Sequence, residues 1–338
     1  MRPIMQMATA IIIAPLAAAC GGDAGLFEET DAAGVGATGS GGDAAGPASG
    51  PGGGASGPGG FGGNPGPSAG GGGSEPLLCT PSESFCEGNV AYTCNELGEL
   101  QAEDCSVTPD GTCVGGVCES ALEVWMEFDE GSGPTTSARF PSGLVGAMGT
   151  VQWDGTLPVG SAAYFIGNHQ IDMGDVLNDL SLPYTISAWV KPTNETVSMT
   201  VVATNARPGG NYAGAWLTVD GSSGWTVVTG FGDNQGTGPA DRHGKRSSGA
   251  VSTFTWSHVV AIVRAPGDID ILIDGVDAGG TYAGTASFVA SDDAPMLIGR
   301  HYWGLSSMRG AVDDLRIYSR ALSHAEVTAI YQTEGASK

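Results

Sequence analysis

The stretch IDILIDGVDAG, residues 269–279, decides the fold. Ile269, Ile271 and Ile273 alternate with Asp270, Leu272 and Asp274, the period-two pattern of a strand with unlike faces. Asp274-Gly275 then supplies the residue types of a tight hairpin turn. Working outward, SHVVAIVRA (257–265), YTISAWVKP (184–192), AWLTVDG (215–221), GWTVVTGFG (224–232) and DDLRIYSR (313–320) are enriched in β-branched or aromatic residues. Gly-, Asn- and Asp-rich turns separate them, so the predicted fold class is all-β, an antiparallel sandwich of two sheets. Only ALSHAEVTAIYQ (321–332) reads as a helix. Ser323 caps it, Glu326 completes a capping box, and Val327, Ile330 and Tyr331 form its apolar stripe.

Before this region the composition changes. The 338 residues include 57 Gly and 19 Pro, and much of that excess lies between Gly21 and Ser74, where Gly, Ala, Ser and Pro dominate. Such a segment has too few apolar side chains to offset the entropy of ordering its backbone, and reads as a disordered linker. About fifty flexible residues have a root-mean-square reach of about 40 Å. Upstream, MRPIMQMATAIIIAPLAAAC places a short apolar run before three alanines and Cys20. The run is too short for a permanent membrane span, so it reads as a signal peptide. Downstream, Cys79, Cys86, Cys94, Cys105, Cys113 and Cys118 crowd a segment that cannot build an adequate core. In an exported chain an even, dense set predicts three disulfides of undetermined connectivity; C-x-x-C pairs expected of thiolate zinc are missing.

The predicted organisation is therefore a signal peptide (1–19), Cys20 with the linker (20–76), a six-cysteine disulfide module (77–119) and the sandwich (120–338). The expected location is exported. A formal net charge of −23, from 13 Lys+Arg against 36 Asp+Glu, excludes nucleic acid as an expected partner, because phosphate binding requires a basic face.

The order VWMEFDEGSG (124–133), YTISAWVKP, WSHVVAIV (256–263), IDILIDGV, LIGRHYWG (297–304) and GAVDDLRIYSRALSHAEVTAIY (310–331) resembles the concanavalin A-like laminin G family of bacterial surface proteins. The resemblance covers nearly all of residues 121–336 and implies a jelly-roll of two antiparallel sheets. The residues before Cys20 resemble a bacterial lipobox, with Ala17 where Leu is usual; the resemblance implies a lipoprotein signal peptide, a lipidated Cys20 and a place at the outer membrane or cell surface with the membrane engaged through the lipid, and ordinary cleavage leaving a free thiol is the alternative. The spacing C-x6-C-x7-C-x10-C-x7-C-x4-C is similar to small cysteine-rich modules of surface proteins and implies a spacer.

Several glycoside hydrolases share this fold, and their chemistry needs two carboxylates flanking the scissile bond. The nearest approach is Glu127-Phe128-Asp129-Glu130, which lacks the further acid of the laminarinase-like pattern. His258 beside Trp256 reads as a structural histidine, and no nucleophile elbow or phosphate loop is evident. The expectation is a binding protein, not an enzyme. A structural Ca2+ is a further expectation: the resemblance implies that the first and last strands adjoin, bringing Asp129 together with Asp313 or Asp314. The competing reading pairs Asp313 or Asp314 with Arg309 or Arg316.

Sugar sites combine aromatic faces with a few polar groups. The expected ligand contacts are Arg300, Tyr302 and Trp303 in GRHYWGLSSMRG, and Tyr212 in ARPGGNYAGAW, while Trp189 and Trp256 are expected to fill the core. FGDNQGTGPADRHGKRSSG (231–249) reads as a long loop gathering Arg242, His243, Lys245 and Arg246. The function expected is a lectin-like surface module for carbohydrate or glycan ligands; the alternative is an adhesion or structural module for an extracellular or envelope protein.

Overall fold

In the computed structural model, which describes residues 79–107, 111–205, 210–291, 293–301 and 307–338, the alternating stretch is the strand Asp268–Ile273. It belongs to an eight-stranded sheet among the described residues. The spatial order is Val276–Asp277, Asp268–Ile273, Ser257–Ala265, Tyr184–Pro192, Arg309–Tyr318, Ala162–Ile166 and Gln152–Asp154, with Leu122–Met126 also paired to Arg309–Tyr318. A nine-stranded sheet runs Thr281–Gly284, Arg242–Ala250, Thr226–Asp233, Ala213–Asp220, Ser198–Ala203, Leu297–Ile298, Ile171–Asp172, Val145–Ala147 and Thr135–Ser137. Every pairing is antiparallel, as in the expected sandwich.

The core lies between the sheets. Tyr184, Ile186, Ala188 and Val190 of one sheet join Ala215, Leu217, Val219 and Phe231 of the other in a single buried cluster. Successive side chains alternate faces, so Val260, Ile262 and Leu272 point the opposite way. They are buried all the same, because the helix α1 (His324–Glu334) covers them with Val327 and Ile330. This explains the unbroken apolar run VVAIV: the sheet is covered on both sides there. Each fully buried Val, Ile or Leu contributes about 2 kcal/mol, so the covered outer face is a second core. The capping box is present, with the Glu326 amide donating to Ser323 Oγ at 3.2 Å and the Ser323 amide donating to Glu326 Oε2 at 2.7 Å.

Residues 231–249 are not a long loop. Thr226–Asp233 and Arg242–Ala250 are strands, and only the residues between them turn. The sequence RHGKRSSGA has weak strand character of its own; its place is set by two neighbouring strands that use its backbone groups. The gathered basic groups are engaged within the fold. Lys245 Nζ donates to the Ile269 carbonyl at 2.6 Å, Arg246 pairs with Asp220 at 2.7 Å, and Arg242 donates to the Tyr212 hydroxyl.

The cysteine-rich segment has two small sheets, Ser84–Glu87, Val90–Cys94, Leu100–Asp104 and the hairpin Gly111–Val114, Val117–Ser120. Disulfides join Cys79–Cys94, Cys86–Cys113 and Cys105–Cys118, resolving the connectivity. Asn89 ties the sheets together, donating to the Gly111 carbonyl at 3.0 Å and accepting from the Cys113 amide at 3.0 Å.

Candidate functional site

A cleft of about 710 Å³ lies where the eight-stranded sheet meets the end of α1. Phe254, Trp256, Leu157 and Tyr331 line it with apolar surface, and Lys191 and Asp274 add polar groups. Trp256 precedes the strand Ser257–Ala265 and is only half-buried, so it lies in the cleft wall and not in the core. The Lys191 ammonium sits 5.0 Å from its ring centroid and 2.6 Å from Asp154 Oδ2. Phe254 is 61% exposed although its φ is +59°, a left-handed conformation that is strained for a bulky residue. Its amide donates to the Pro192 carbonyl at 2.7 Å, which ties the turn to the end of the Tyr184–Pro192 strand.

Trp189 is buried as expected, but on the outer face of its sheet, under α1. Tyr331 stacks on it with centroids 5.7 Å apart, and its indole Nε1 donates to Glu334 Oε2 at 2.8 Å. Arg316 meets Glu334 at 2.5 Å and lies 4.1 Å from the Trp125 ring centroid. Behind this wall, His258 Nε2 and Ser187 Oγ are 2.8 Å apart and both residues are fully buried. Burial, followed by the nearby Arg316 charge, holds His258 down at about 3, so it is neutral at physiological pH.

The first and last sheet strands do adjoin, with Met126 opposite Leu315 and Trp125 opposite Arg316. The carboxylates expected to share a metal are nevertheless committed differently. Asp129 lies over Gly160, where a Cβ would come within 2.0 Å of its Oδ1, and accepts from the Ser161 amide at 3.1 Å. Asp313 and Asp314 instead hold the Lys338 ammonium, at 2.8 Å for Asp314, and Asp314 also accepts from Trp125 Nε1 at 3.2 Å. Arg309 pairs with Glu195. Burial pushes Asp313 up to about 7 while Lys338 draws it back. Among the described residues no group of three or more His, Cys, Asp or Glu is arranged for a metal. In the Glu127–Glu130 stretch, Glu127 pairs with Arg139 at 3.0 Å and Glu130 accepts from the Ser137 amide at 2.6 Å.

Of the expected rim contacts, Tyr212 and Arg300 lie among the described residues. Tyr212 is buried, with its ring 6.0 Å from Trp216 and the Arg242 guanidinium 4.7 Å from its centroid, so its faces are used internally and are not offered to a ligand. Arg300 bridges to Ser307, and His301 is buried edge-on to Trp216. Tyr302, Trp303 and Cys20 lie outside the described residues. Sequence reasoning missed Phe254 and Trp256 as a pair; the available signal was FTW at the entrance to a strand, two aromatics one residue apart in a turn.

No curated protein sequence matches the chain. Among solved structures it is similar to domain 4 of AbnA, a GH43 extracellular arabinanase from Geobacillus stearothermophilus, in complex with arabinotriose, at 24% identity and a TM-score of 0.47, covering 63% of this chain and 100% of that one. It is also similar to Trypanosoma rangeli sialidase, at 14% identity and a TM-score of 0.45, covering 68% of this chain and 35% of the sialidase. The binding domain of Paraclostridial Mosquitocidal Protein 1 matches at 14% identity and a TM-score of 0.46, covering 63% of this chain and 52% of that one. Residues 165–328 match the family model of the concanavalin A-like lectin/glucanases superfamily, and the sandwich they help to build is a laminin G-like domain of that superfamily.

Proposed function

We propose that this is a glycan-binding protein of the cell surface, that the cleft beside α1 is its binding site, and that it binds without catalysing a reaction. The observation that carries the reading is Phe254, held in solvent at a strained φ on the rim of an aromatic cleft. An apolar ring normally gains free energy by burial, and strain persists where surrounding structure enforces it, often at ligand sites. Phe254, Trp256 and Tyr331 supply faces for the apolar sides of sugar rings, and the polar groups between them suit hydroxyls. Binding of the intact chain to a glycan array is the test. Phe254→Ala and Trp256→Ala should each weaken binding about fivefold or more, from the roughly 1 kcal/mol that an aromatic contact is worth, with little change in melting temperature for Phe254→Ala. A blank array, or full binding by both variants, would overturn the reading and leave a protein ligand as the next one to test.

The same proposal places the chain on a lipid anchor at Cys20, supported by the run of small residues before it and the linker after it. Cells fed labelled palmitate should label the wild type and not Cys20→Ser; label retained by the variant rejects the anchor.

A further inference from the structure

Three charged residues line the cleft: Lys191, Lys338 and Asp274. Both cations are already neutralised, Lys191 by Asp154 at 2.6 Å and Lys338 by Asp313 and Asp314. Asp274 has no ion pair among the described residues. Its Oδ1 accepts from the His258 amide at 2.8 Å, which leaves acceptor capacity on a carboxylate that lines the cleft. Position and chemistry are both fixed by the fold. Asp274 (φ +52°) and Gly275 (φ +77°) form the two-residue turn between Ile273 and Val276, and a Cβ on Gly275 would stand 3.4 Å from Tyr331. The carboxylate is therefore held beside a stacking ring by a rigid hairpin.

We propose that the cleft selects uncharged glycans, and that Asp274 makes the selection by accepting hydrogen bonds from sugar hydroxyls and repelling carboxylated or sulfated sugars. The inference rests on the glycan-binding reading above. An acceptor-only group matches hydroxyl donors, and an anionic sugar would be placed near a like charge while both lysines of the described cleft wall are already held by carboxylates. The net charge of −23 adds a weaker, longer-range repulsion of the same sign.

The test compares neutral oligomers of glucose and galactose with the matching oligomers of glucuronate and galacturonate, titrated calorimetrically into the intact wild-type chain and Asp274→Asn. Asn-Gly is the preferred pair for this turn, so the variant keeps the hairpin while losing the charge. Wild type should bind a neutral oligomer about tenfold more tightly than its uronate counterpart, the size expected for like charges several ångströms apart in a wet cleft. In Asp274→Asn that preference should shrink to about twofold, mostly through tighter uronate binding. Uronates bound as well as neutral oligomers by wild type, or an unchanged preference in the variant, would overturn the inference while glycan binding stands. Failure to bind either series or any arrayed glycan would remove both.

Discussion

The cysteine-rich module and the sandwich are both antiparallel β-structures, yet they are held together by different means. In the module, Ser84–Glu87 and Leu100–Asp104 are exposed along their whole length, and few apolar residues besides Ala91 and the cysteines Cys94 and Cys105 are buried. In the sandwich, Ala213–Asp220 is buried at every position. The module has three covalent cross-links and almost no core; the sandwich has a two-sided core, and the sequence from residue 120 onward contains no cysteine. A short segment cannot remove enough apolar surface from water to offset its chain entropy, whereas some two hundred residues can. Cross-links substitute by restricting the unfolded chain.

Reduction should break this comparison most sharply. Losing a native disulfide from a small domain costs about 2–5 kcal/mol, so loss of three should unfold the module outright. Hydrogen exchange read by mass spectrometry in reductant should show residues 79–118 losing protection while the sandwich keeps its own. Protection surviving in the module, or lost from both regions together, would mean that the two are not independently stabilised.

Acid should sharpen the contrast from the other side. His258 is depressed from its ordinary value to about 3, so the folded sandwich disfavours the protonated form. Its stabilising effect is complete above about 6.5 and declines as pH falls toward 3, by about 1.4 kcal/mol per pH unit where the unfolded chain holds one more proton. Asp313, raised to about 7, acts in the opposite sense, so the quantity to read is the difference between wild type and His258→Gln. Denaturant unfolding at pH 6.5, 5.5 and 4.5 should give the variant a shallower acid decline, with the module indifferent. Parallel curves would show that His258 is not kept neutral by the fold.

The strand alternation, the Asp274-Gly275 turn and the capping box were legible because each rests on contacts between near neighbours, and the disulfide module because an even, dense cysteine set in an exported chain needs no pairing to be recognised, although which cysteines pair was not legible. Which strand face is covered was not legible either. Leu272 sits in the alternation where a solvent-facing residue would, and it is buried in the outer cluster that Leu322 and, from α1, Val327 close over. The same limit explains Trp256, whose neighbours read as strand but which stands one residue before it, in the wall of a cleft made by separate segments drawn from between Thr156 and Lys338. Nor could composition separate Tyr212, whose ring is enclosed by Trp216 and Arg242, from Phe254, whose ring is not. Aromatic residues mark both interiors and binding faces, and only the long-range fold tells them apart.

The two large sheets end in very short strands. Among the described residues the eight-stranded sheet stops at Val276–Asp277 on one side and at Gln152–Asp154 and Leu122–Met126 on the other, the last bridged through Trp125 to Phe140, and the nine-stranded sheet stops at Thr281–Gly284 and Thr135–Ser137. An edge strand only two to five residues long is a poor template for a strand from a neighbouring molecule. Many copies can therefore be crowded side by side without zipping into fibrils, and contact between them is left to side chains.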